Sequence, residues 1–163
     1  MTWGKVLMLN SKTLEFTEVE IENKTVSLEE MYKNIGCDSV EHISGYNQKL
    51  DDLHVGMWID EMGKLKENWE SDISVAIVNK DYKAFEFLVG NIMFTNDGAF
   101  GDTFGLTDYQ VEQIKQILFA SAYLELKPNN QGRMVRVLRY YWCVKNFKKL
   151  KKPLTNTTNI GII

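Results

Sequence analysis

The chain has few residues of the kinds that usually carry metal or redox chemistry. It has two cysteines and two histidines among 163 residues, and no CxxC pair. A structural zinc site needs four such ligands at close spacing, so we expect no metal site, and Cys37 and Cys143 are interpreted as small core residues. Neither His42 nor His54 has an identifiable acid or nucleophile partner in the sequence, which leaves little material for histidine catalysis.

Long apolar runs, prolines and low-complexity segments are also scarce. No run approaches the roughly 18 apolar residues that a membrane span requires. The first residues, MTWGKVLMLNSK, lack the basic start and long apolar stretch of a signal peptide. With 44% apolar and 25% charged residues, the composition is typical of one globular domain, possibly with an appendage, and predicts a cytoplasmic protein.

Charge is distributed very unevenly along the chain. Residues 128–163 contain three arginines and five lysines with no acid, which gives this segment a charge of +8. The remaining 127 residues contain 11 basic and 22 acidic residues, a charge of −11. Such a basic segment can fold onto the acidic body or onto a neighbouring subunit, or it can bind an anion such as a nucleotide or a nucleic acid.

The first third of the chain predicts two strands, a helix and two more strands. Residues 4–22 are typical of a β-hairpin, with a change of apolar phase near Thr17 that indicates a bulge or a strong twist. Ser27 and Glu30 form a capping box for a short helix, and Gly36 is placed to end it. The runs SVEHISGYN and HVGMWID then predict strands joined by a polar loop, QKLDD.

The middle of the chain is less regular. SDISVAIVNKD is compatible with a helix or a strand, and FLVGNIMF predicts one buried strand in which Gly90 marks a bulge or a close approach. NDGAFGDTFG matches neither a phosphate-binding loop nor an EF-hand, and is interpreted as a solvated loop. Thr107 and Gln110 form a second capping box, for a helix that must end before Pro128.

The last segment, RMVRVLRYYWCVKNFKKLKK, fits both a helix and a strand, and we favour the helix. The predicted organisation is an α+β domain at 1–126 and a basic extension at 127–163 that packs on the domain or on a neighbouring subunit. The domain is expected to have a small, mostly antiparallel sheet with two or three helices packed on it. The edges of such a sheet, exposed aromatics and the apolar end of LTNTTNIGII predict a homo-oligomer.

The stretch WIDEMGKLKENW places Asp60 and Glu61 next to each other between two tryptophans. Adjacent strand residues point to opposite faces, so the two carboxylates do not converge on one bond as a catalytic pair must. We interpret them as the solvated shoulder of a tight turn in which Gly63 supplies a positive φ. Trp58 is expected in the core, and Trp69 on the surface at a ligand or an interface.

Three motifs, IDEMGKL, LVGNIMFTN and GLTDYQVEQI, resemble those of an uncharacterised domain family that is common in bacteriophages, plasmids and other mobile elements. The resemblance covers about residues 1–118, with Asn68 near the asparagine of the family motif. It implies a phage or mobile-element origin, and hence the cytoplasm of an infected bacterium. Small phage proteins of this kind often modulate the host, some by sequestering cyclic nucleotides or ADP-ribose derivatives that serve as immune signals.

The resulting hypothesis is a binding protein, not an enzyme and without a cofactor, that sequesters a nucleotide-derived signal. Arginines spaced by three would lie along one side of a helix and bind phosphates, while aromatics stack on a base. The predicted ligand-binding residues are Trp69, Asn68, Asn91, Arg133, Arg136, Arg139 and Tyr140.

Three other functions remain open at this point. The acidic body could bind and inhibit a host protein, and the basic segment could bind nucleic acid, although no recognised motif is present. An enzyme would have to use Asp97, Asp102 and Asp108, of which the last is favoured at a helix N-terminus for capping alone. No nucleophile and base pair supports catalysis.

Overall fold

A computed structural model describes residues 4–45, 48–78, 85–128, 130–132 and 134–140. Within these ranges the elements follow in this order: β1 Lys5–Leu9, β2 Phe16–Glu20, α1 Leu28–Ile35, β3 Val40–Ile43, α2 Gln48–Asp52, β4 Val55–Asp60, β5 Ile73–Val78, β6 Phe85–Val89, β7 Ile92–Asp97, β8 Thr103–Phe104, α3 Asp108–Ser121, β9 Ala122–Pro128 and β10 Met134–Tyr140. Short 3₁₀ turns lie at Gly63–Leu65 and Trp69–Asp72. No helix among the described residues is long and apolar enough to cross a membrane.

The main sheet has the strand order β2-β1-β7-β4-β3, and β8 pairs with the end of β7. Two further pairs, β5 with β6 and β9 with β10, form separate two-stranded sheets. The pairings between these strands are antiparallel. The predicted α+β class with a mostly antiparallel sheet is therefore confirmed.

Both faces of the main sheet are buried, and the interior strand β1 shows this directly. Leu7 and Leu9 belong to a core cluster that includes residues of α2 and α3, whereas Val6 and Met8 belong to a second cluster with residues of α1. Since neighbouring residues of a strand point to opposite faces, an apolar run without alternation is what a strand covered on both sides requires.

The same arrangement explains the change of apolar phase in β2. Phe16 packs against the first cluster, and its ring lies 6.2 Å from that of Phe94, whereas Val19 packs against the second cluster. The pairing of β2 with β1 runs without a shift from Phe16 to Glu20. Of the two alternatives predicted near Thr17, the bulge is therefore wrong, because each phase buries its own face.

The predicted helix starts are confirmed. At α1, the Ser27 hydroxyl accepts a hydrogen bond from the Glu30 amide at 3.1 Å, and Gly36 ends the helix at φ +86°. At α3, the Thr107 hydroxyl accepts from the Gln110 amide at 3.1 Å, and the Gln110 side chain accepts from the Thr107 amide at 2.9 Å. Each box satisfies backbone N–H groups that have no partner inside the helix.

Two predictions for the first 97 residues, one of a loop and one of a strand, are wrong. QKLDD is the short helix α2 and not a loop, because Leu50 is fully buried against α3 and so anchors the turn. FLVGNIMF is not one strand, because Gly90, at φ +86°, separates β6 from β7. SDISVAIVNKD contains the strand β5, the second of its two open alternatives.

The helix favoured for the last segment is also wrong over residues 134–140, which form the strand β10. The helix predicted to begin at Thr107 ends at Ser121. Residues 122–128 form β9, which pairs with β10 from Ala122 opposite Tyr140 to Pro128 opposite Met134. β-branched and aromatic residues favour this pleated arrangement. The predicted domain boundary at 126 falls within β9. Residues 141–163, including Cys143, Trp142 and the lysine cluster, lie outside the described residues.

Candidate functional site

Asp60 ends β4 and organises the turn that follows. Its side chain is buried, with 8% exposed, and accepts hydrogen bonds from the Met62 amide at 2.9 Å and from Lys66 Nζ at 2.7 Å. The bond to Asp60 raises the pKa of the Lys66 ammonium. Glu61 is exposed as predicted, but the prediction of a solvated Asp60 is wrong, because this carboxylate satisfies a backbone N–H that the turn would otherwise leave unpaired.

Gly63 has a different role from the predicted one. Its φ is not positive, and the residue is buried in a 3₁₀ turn, where an added Cβ would lie 3.1 Å from the carbonyl oxygen of Val89. Glycine is therefore required for close approach to β6 rather than for a left-handed backbone. The left-handed residue of this segment is Asn68, at φ 61°, which accepts at its carbonyl oxygen from the Ser71 amide at 3.1 Å.

The two tryptophans of the segment occupy different environments. Trp58 is half-buried, packs against the second core cluster and donates from Nε1 to the hydroxyl of Thr95 at 2.9 Å. Trp69 is also half-buried, and packs with Leu14 and Phe87 against Ile73 and Val89; its ring lies 6.3 Å from that of Phe87. The neighbours of Trp69 fix the ring on the surface of the domain.

Asn91 joins three separate parts of the chain through its side chain. Its Oδ1 accepts from the amide of the buried Ser11 at 2.9 Å, and its Nδ2 donates to the carbonyl oxygen of Ile35 at 3.3 Å. Beside it, Asp72 accepts from the Ser11 hydroxyl at 2.7 Å and forms an ion pair with Lys12 at 2.9 Å. Asn91 thus braces the hairpin, α1 and the start of β7 behind the Trp69 turn.

The backbone of β10 lies beside the turn Trp69–Asp72, with Cα atoms of the two segments within 8 Å of each other. The structure therefore brings the predicted Trp69 and Asn68 near the strand that contains Arg136, Arg139 and Tyr140. In a strand, residues three apart lie on opposite faces, so the predicted helical row of arginines is wrong. Arg133 lies outside the described residues.

The sequence did not predict a hydrogen-bonded pair of side chains that links two strands of the main sheet across a third. His42 Nε2 of β3 lies 3.0 Å from Asp97 Oδ2 of β7, and the two side chains meet over Gly56 of β4. The hydrogen bond to Asp97 raises the pKa of His42, and the imidazole also contacts the Trp58 ring at a centroid distance of 4.6 Å. The available signal was Gly56, since a glycine within a strand marks a close approach.

A cleft of about 340 Å³ adjoins Asp97. It is lined by Asp51, His54, Val55, Asn96, Asp97, Gly98 and Ala99. Asp97 donates its backbone amide to the His54 carbonyl oxygen at 2.7 Å, and Asp51 accepts from the Gly45 amide at 3.0 Å. Among the described residues, no three His, Cys, Asp or Glu side chains are grouped so that they could hold a metal ion.

Cys37 is half-buried at the edge of the second core cluster. It packs against the second core cluster, and burial together with the nearby Asp60 charge raises the pKa of its thiol. A raised pKa lowers the thiolate fraction, and the thiolate is the reactive form. Cys37 therefore packs against the core, although it is not fully buried as a core residue would be.

No curated protein and no solved structure matches the chain. A family model described as a domain of unknown function, DUF3846, matches residues 2–118. The match spans the whole main sheet, the Trp69 turn and the His42–Asp97 pair, and ends within α3. The chain therefore belongs to the DUF3846 family.

Proposed function

We propose that this chain is a phage-type accessory protein that acts by binding, and that it sequesters a nucleotide-derived immune signal of the bacterial host. It holds its ligand and does not turn it over. The binding surface lies where the Trp69 turn approaches β10. The proposed biological role is based on the resemblance of the sequence motifs to those of mobile-element proteins. The proposed binding surface is based on the proximity of the Trp69 turn to β10.

The observation that carries the proposal is the proximity of the turn Trp69–Asp72 to β10. These segments are more than 60 residues apart in the sequence and supply complementary chemistry. The turn contributes an indole ring held by its neighbours, and the strand belongs to the segment with a charge of +8. Stacking on a ring and charge-assisted bonds to phosphate are two of the interactions through which proteins bind nucleotides.

The competing interpretation is that the arginines of β10 pair with acids of the turn itself. Asp72 already has two partners, the Ser11 hydroxyl and Lys12 Nζ, and both contact its Oδ1 atom. Glu70 is the remaining acid of that turn. The competing interpretation therefore concerns Glu70 more than Asp72.

Calorimetry and thermal shift with cyclic mononucleotides, cyclic dinucleotides and ADP-ribose test the proposal. Wild type is expected to bind at least one of these probes. Arg136 and Arg139 lie on opposite faces of β10, so one of the variants Arg136→Glu and Arg139→Glu should weaken binding by about tenfold or more, because it replaces a phosphate partner with a repelling charge, and the other should weaken binding clearly less. Trp69→Ala should weaken the same ligand through lost stacking.

Lys33→Glu is the matched control, since Lys33 is an exposed cation on α1, outside the proposed surface. It should bind like wild type. The absence of heat and of any thermal shift with every probe would contradict the proposal, as would equal loss in the control. Ligand released by denaturing the complex should be chemically unchanged; a converted product would contradict sequestration without turnover.

A further inference from the structure

The cleft of about 340 Å³ beside Asp97, called here the Asp97 cleft, is lined by polar side chains that mostly accept hydrogen bonds. Four of its lining residues are polar: Asp51, His54, Asn96 and Asp97. Among the described residues no lysine or arginine lines it, so an anionic ligand would meet no permanent positive charge there. We propose that the Asp97 cleft is a second ligand site, which binds a small organic cation with an ammonium or guanidinium group. This inference is independent of the proposed nucleotide site, because no residue of the Trp69 turn or of β10 lines the cleft.

Each carboxylate of the Asp97 cleft is held through one of its two oxygens. Asp51 Oδ1 accepts from the Gly45 amide at 3.0 Å, and Asp97 Oδ2 lies 3.0 Å from His42 Nε2. With the residues that the structure describes, the second oxygen of each carboxylate forms no hydrogen bond. Both groups are therefore oriented before a ligand arrives and keep one acceptor open for it, which lowers the entropic cost of binding.

Backbone hydrogen bonds hold the walls of the Asp97 cleft together. The Asp97 amide donates to the His54 carbonyl oxygen at 2.7 Å, and the His54 amide donates to the Asp51 carbonyl oxygen at 3.0 Å. The buried Val55 pairs with Asn96 between β4 and β7. The residues that supply the acceptors are thus joined through the main chain, and a site built on such rigid elements keeps its geometry better than one built on a loose loop.

The chemistry of this lining matches a cation. Ammonium and guanidinium groups only donate hydrogen bonds and ionised carboxylates only accept them, and charge-assisted bonds between the two are the strong ones. The side chains of Asn96 and His54 form no hydrogen bond with other described residues, so each has a further acceptor to offer. A metal ion fits less well, since no three His, Cys, Asp or Glu side chains in the described ranges are grouped to hold one.

An exposed aromatic ring adjoins the same cleft. Phe100 follows the lining residue Ala99 in the loop between β7 and β8, and its side chain is 97% exposed, the highest value among the large apolar side chains that the structure describes. The Gly98 amide holds this loop by donating to the Asp102 carbonyl oxygen at 2.7 Å. The face of an aromatic ring attracts a cation, so Phe100 supplies a second kind of cation contact at the rim of the cleft.

The volume limits the size of the ligand. Pockets for drug-sized ligands hold about 300–1,000 Å³, and the Asp97 cleft is at the lower end of that range. Putrescine, butanediol and succinate share a short carbon chain and differ in charge, as a cation, a neutral molecule and an anion. They are therefore matched probes for the proposal, and agmatine adds a guanidinium group to the putrescine chain.

Calorimetry of the full chain with these four probes tests the proposal. Putrescine and agmatine are expected to bind, whereas butanediol and succinate are not. Asp51→Asn and Asp97→Asn should each weaken putrescine binding by about tenfold or more, because each removes a negative charge without changing the size of the side chain. Phe100→Ser should weaken it by only about twofold to fivefold, since a cation–π contact at an exposed site is weak.

Asp102→Asn is the matched control, because Asp102 is an exposed acid of the same loop that does not line the cleft. It should bind putrescine like wild type. NMR spectra of wild type need no variant: saturation with putrescine should shift the amide signals of residues 51–56 and 96–99 most. The proposal would be overturned by the absence of heat with both amines, by equal binding of butanediol, by equal weakening in Asp102→Asn, or by amide shifts centred elsewhere.

Discussion

His42 and Asp97 are separated by an entire strand, yet their side chains meet at 3.0 Å over Gly56. β3 and β7 flank β4 in the sheet, and Gly56 is the position of β4 that leaves the gap open. The pair therefore fastens the edge strand β3 to the second strand inward, across the strand that separates them. Asp97 of this pair also lines the cleft beside His54.

Gly56→Ala is expected to disrupt the pair, because the added Cβ would overlap both Asp97 Oδ1 and His42 Nε2. Overpacking of this kind costs about 1–3 kcal/mol of unfolding free energy. Chemical denaturation measures the loss. In an Asp97→Ala background, where the carboxylate no longer fills the space and no longer holds the His42 ring, the same substitution should cost clearly less; an equal cost in both backgrounds would show that the clash lies elsewhere.

The pair should make stability depend on pH. Since its pKa is raised in the folded state, His42 stabilises the fold fully below its unfolded pKa of about 6.5, and this contribution is lost as pH rises through the folded pKa. The contribution is at most about 1 kcal/mol, because the imidazole is 35% exposed and solvent screens the pair.

The measurement is the difference in unfolding free energy between wild type and Asp97→Asn, from about pH 5 to about pH 9. It should shrink as pH rises. NMR titration of the two histidines gives an independent reading, with His54→Gln to assign the signals. A His42 pKa that stays the same in Asp97→Asn would rule out the proposed cause.

Asp60→Ala is expected to destabilise the chain by about 1–3 kcal/mol, because it leaves the Met62 amide without its acceptor and Lys66 without its partner. The neighbouring Glu61→Ala is the control. Glu61 is exposed, so its removal should change stability by less than about 0.5 kcal/mol. Thermal or urea unfolding distinguishes them, and equal effects would contradict a special role for Asp60.

Asn91→Ala is expected to cost about 1–3 kcal/mol, since the buried Ser11 amide and the Ile35 carbonyl both lose a partner. Asn23→Ala, at an exposed position after β2, should have little effect on urea unfolding. Nucleotide affinity is then measured at a temperature where both variants are folded. This measurement distinguishes the structural role of Asn91 from the ligand contact predicted for it. Unchanged affinity in Asn91→Ala would leave Asn91 with its structural role alone.

Predictions from the sequence succeeded where the determining contacts are local. Ser27 with Glu30, and Thr107 with Gln110, lie three residues apart, and each box determines its own helix start. The predictions failed where the structure depends on contacts between residues that are far apart in the sequence. The His42–Asp97 bond spans 55 residues, and only the strand order brings its partners together.

The same distinction applies to the candidate ligand surface. Asn68 and Trp69 were found from a short motif, but whether β10 is a helix or a strand depends on its pairing with β9, which no local pattern encodes. Gly63 shows a third kind of failure. A glycine required for close approach and one required for a positive φ are indistinguishable in the sequence, and only the nearby Val89 carbonyl decides between them.

The double burial of β1 has a consequence for how the chain avoids misfolding. A strand with one polar face cannot slip by one residue without burying polar groups, whereas a slip of KVLML exchanges one apolar set for another. The core therefore offers little protection against that error. Protection must come from the polar ends of the hairpin, where Gly4 accepts from the Ile21 amide at 3.0 Å and Asn10 donates to Glu15 at 3.0 Å. The register of β1 with β2 therefore depends on hydrogen bonds at the two ends of the hairpin, outside the hydrophobic core.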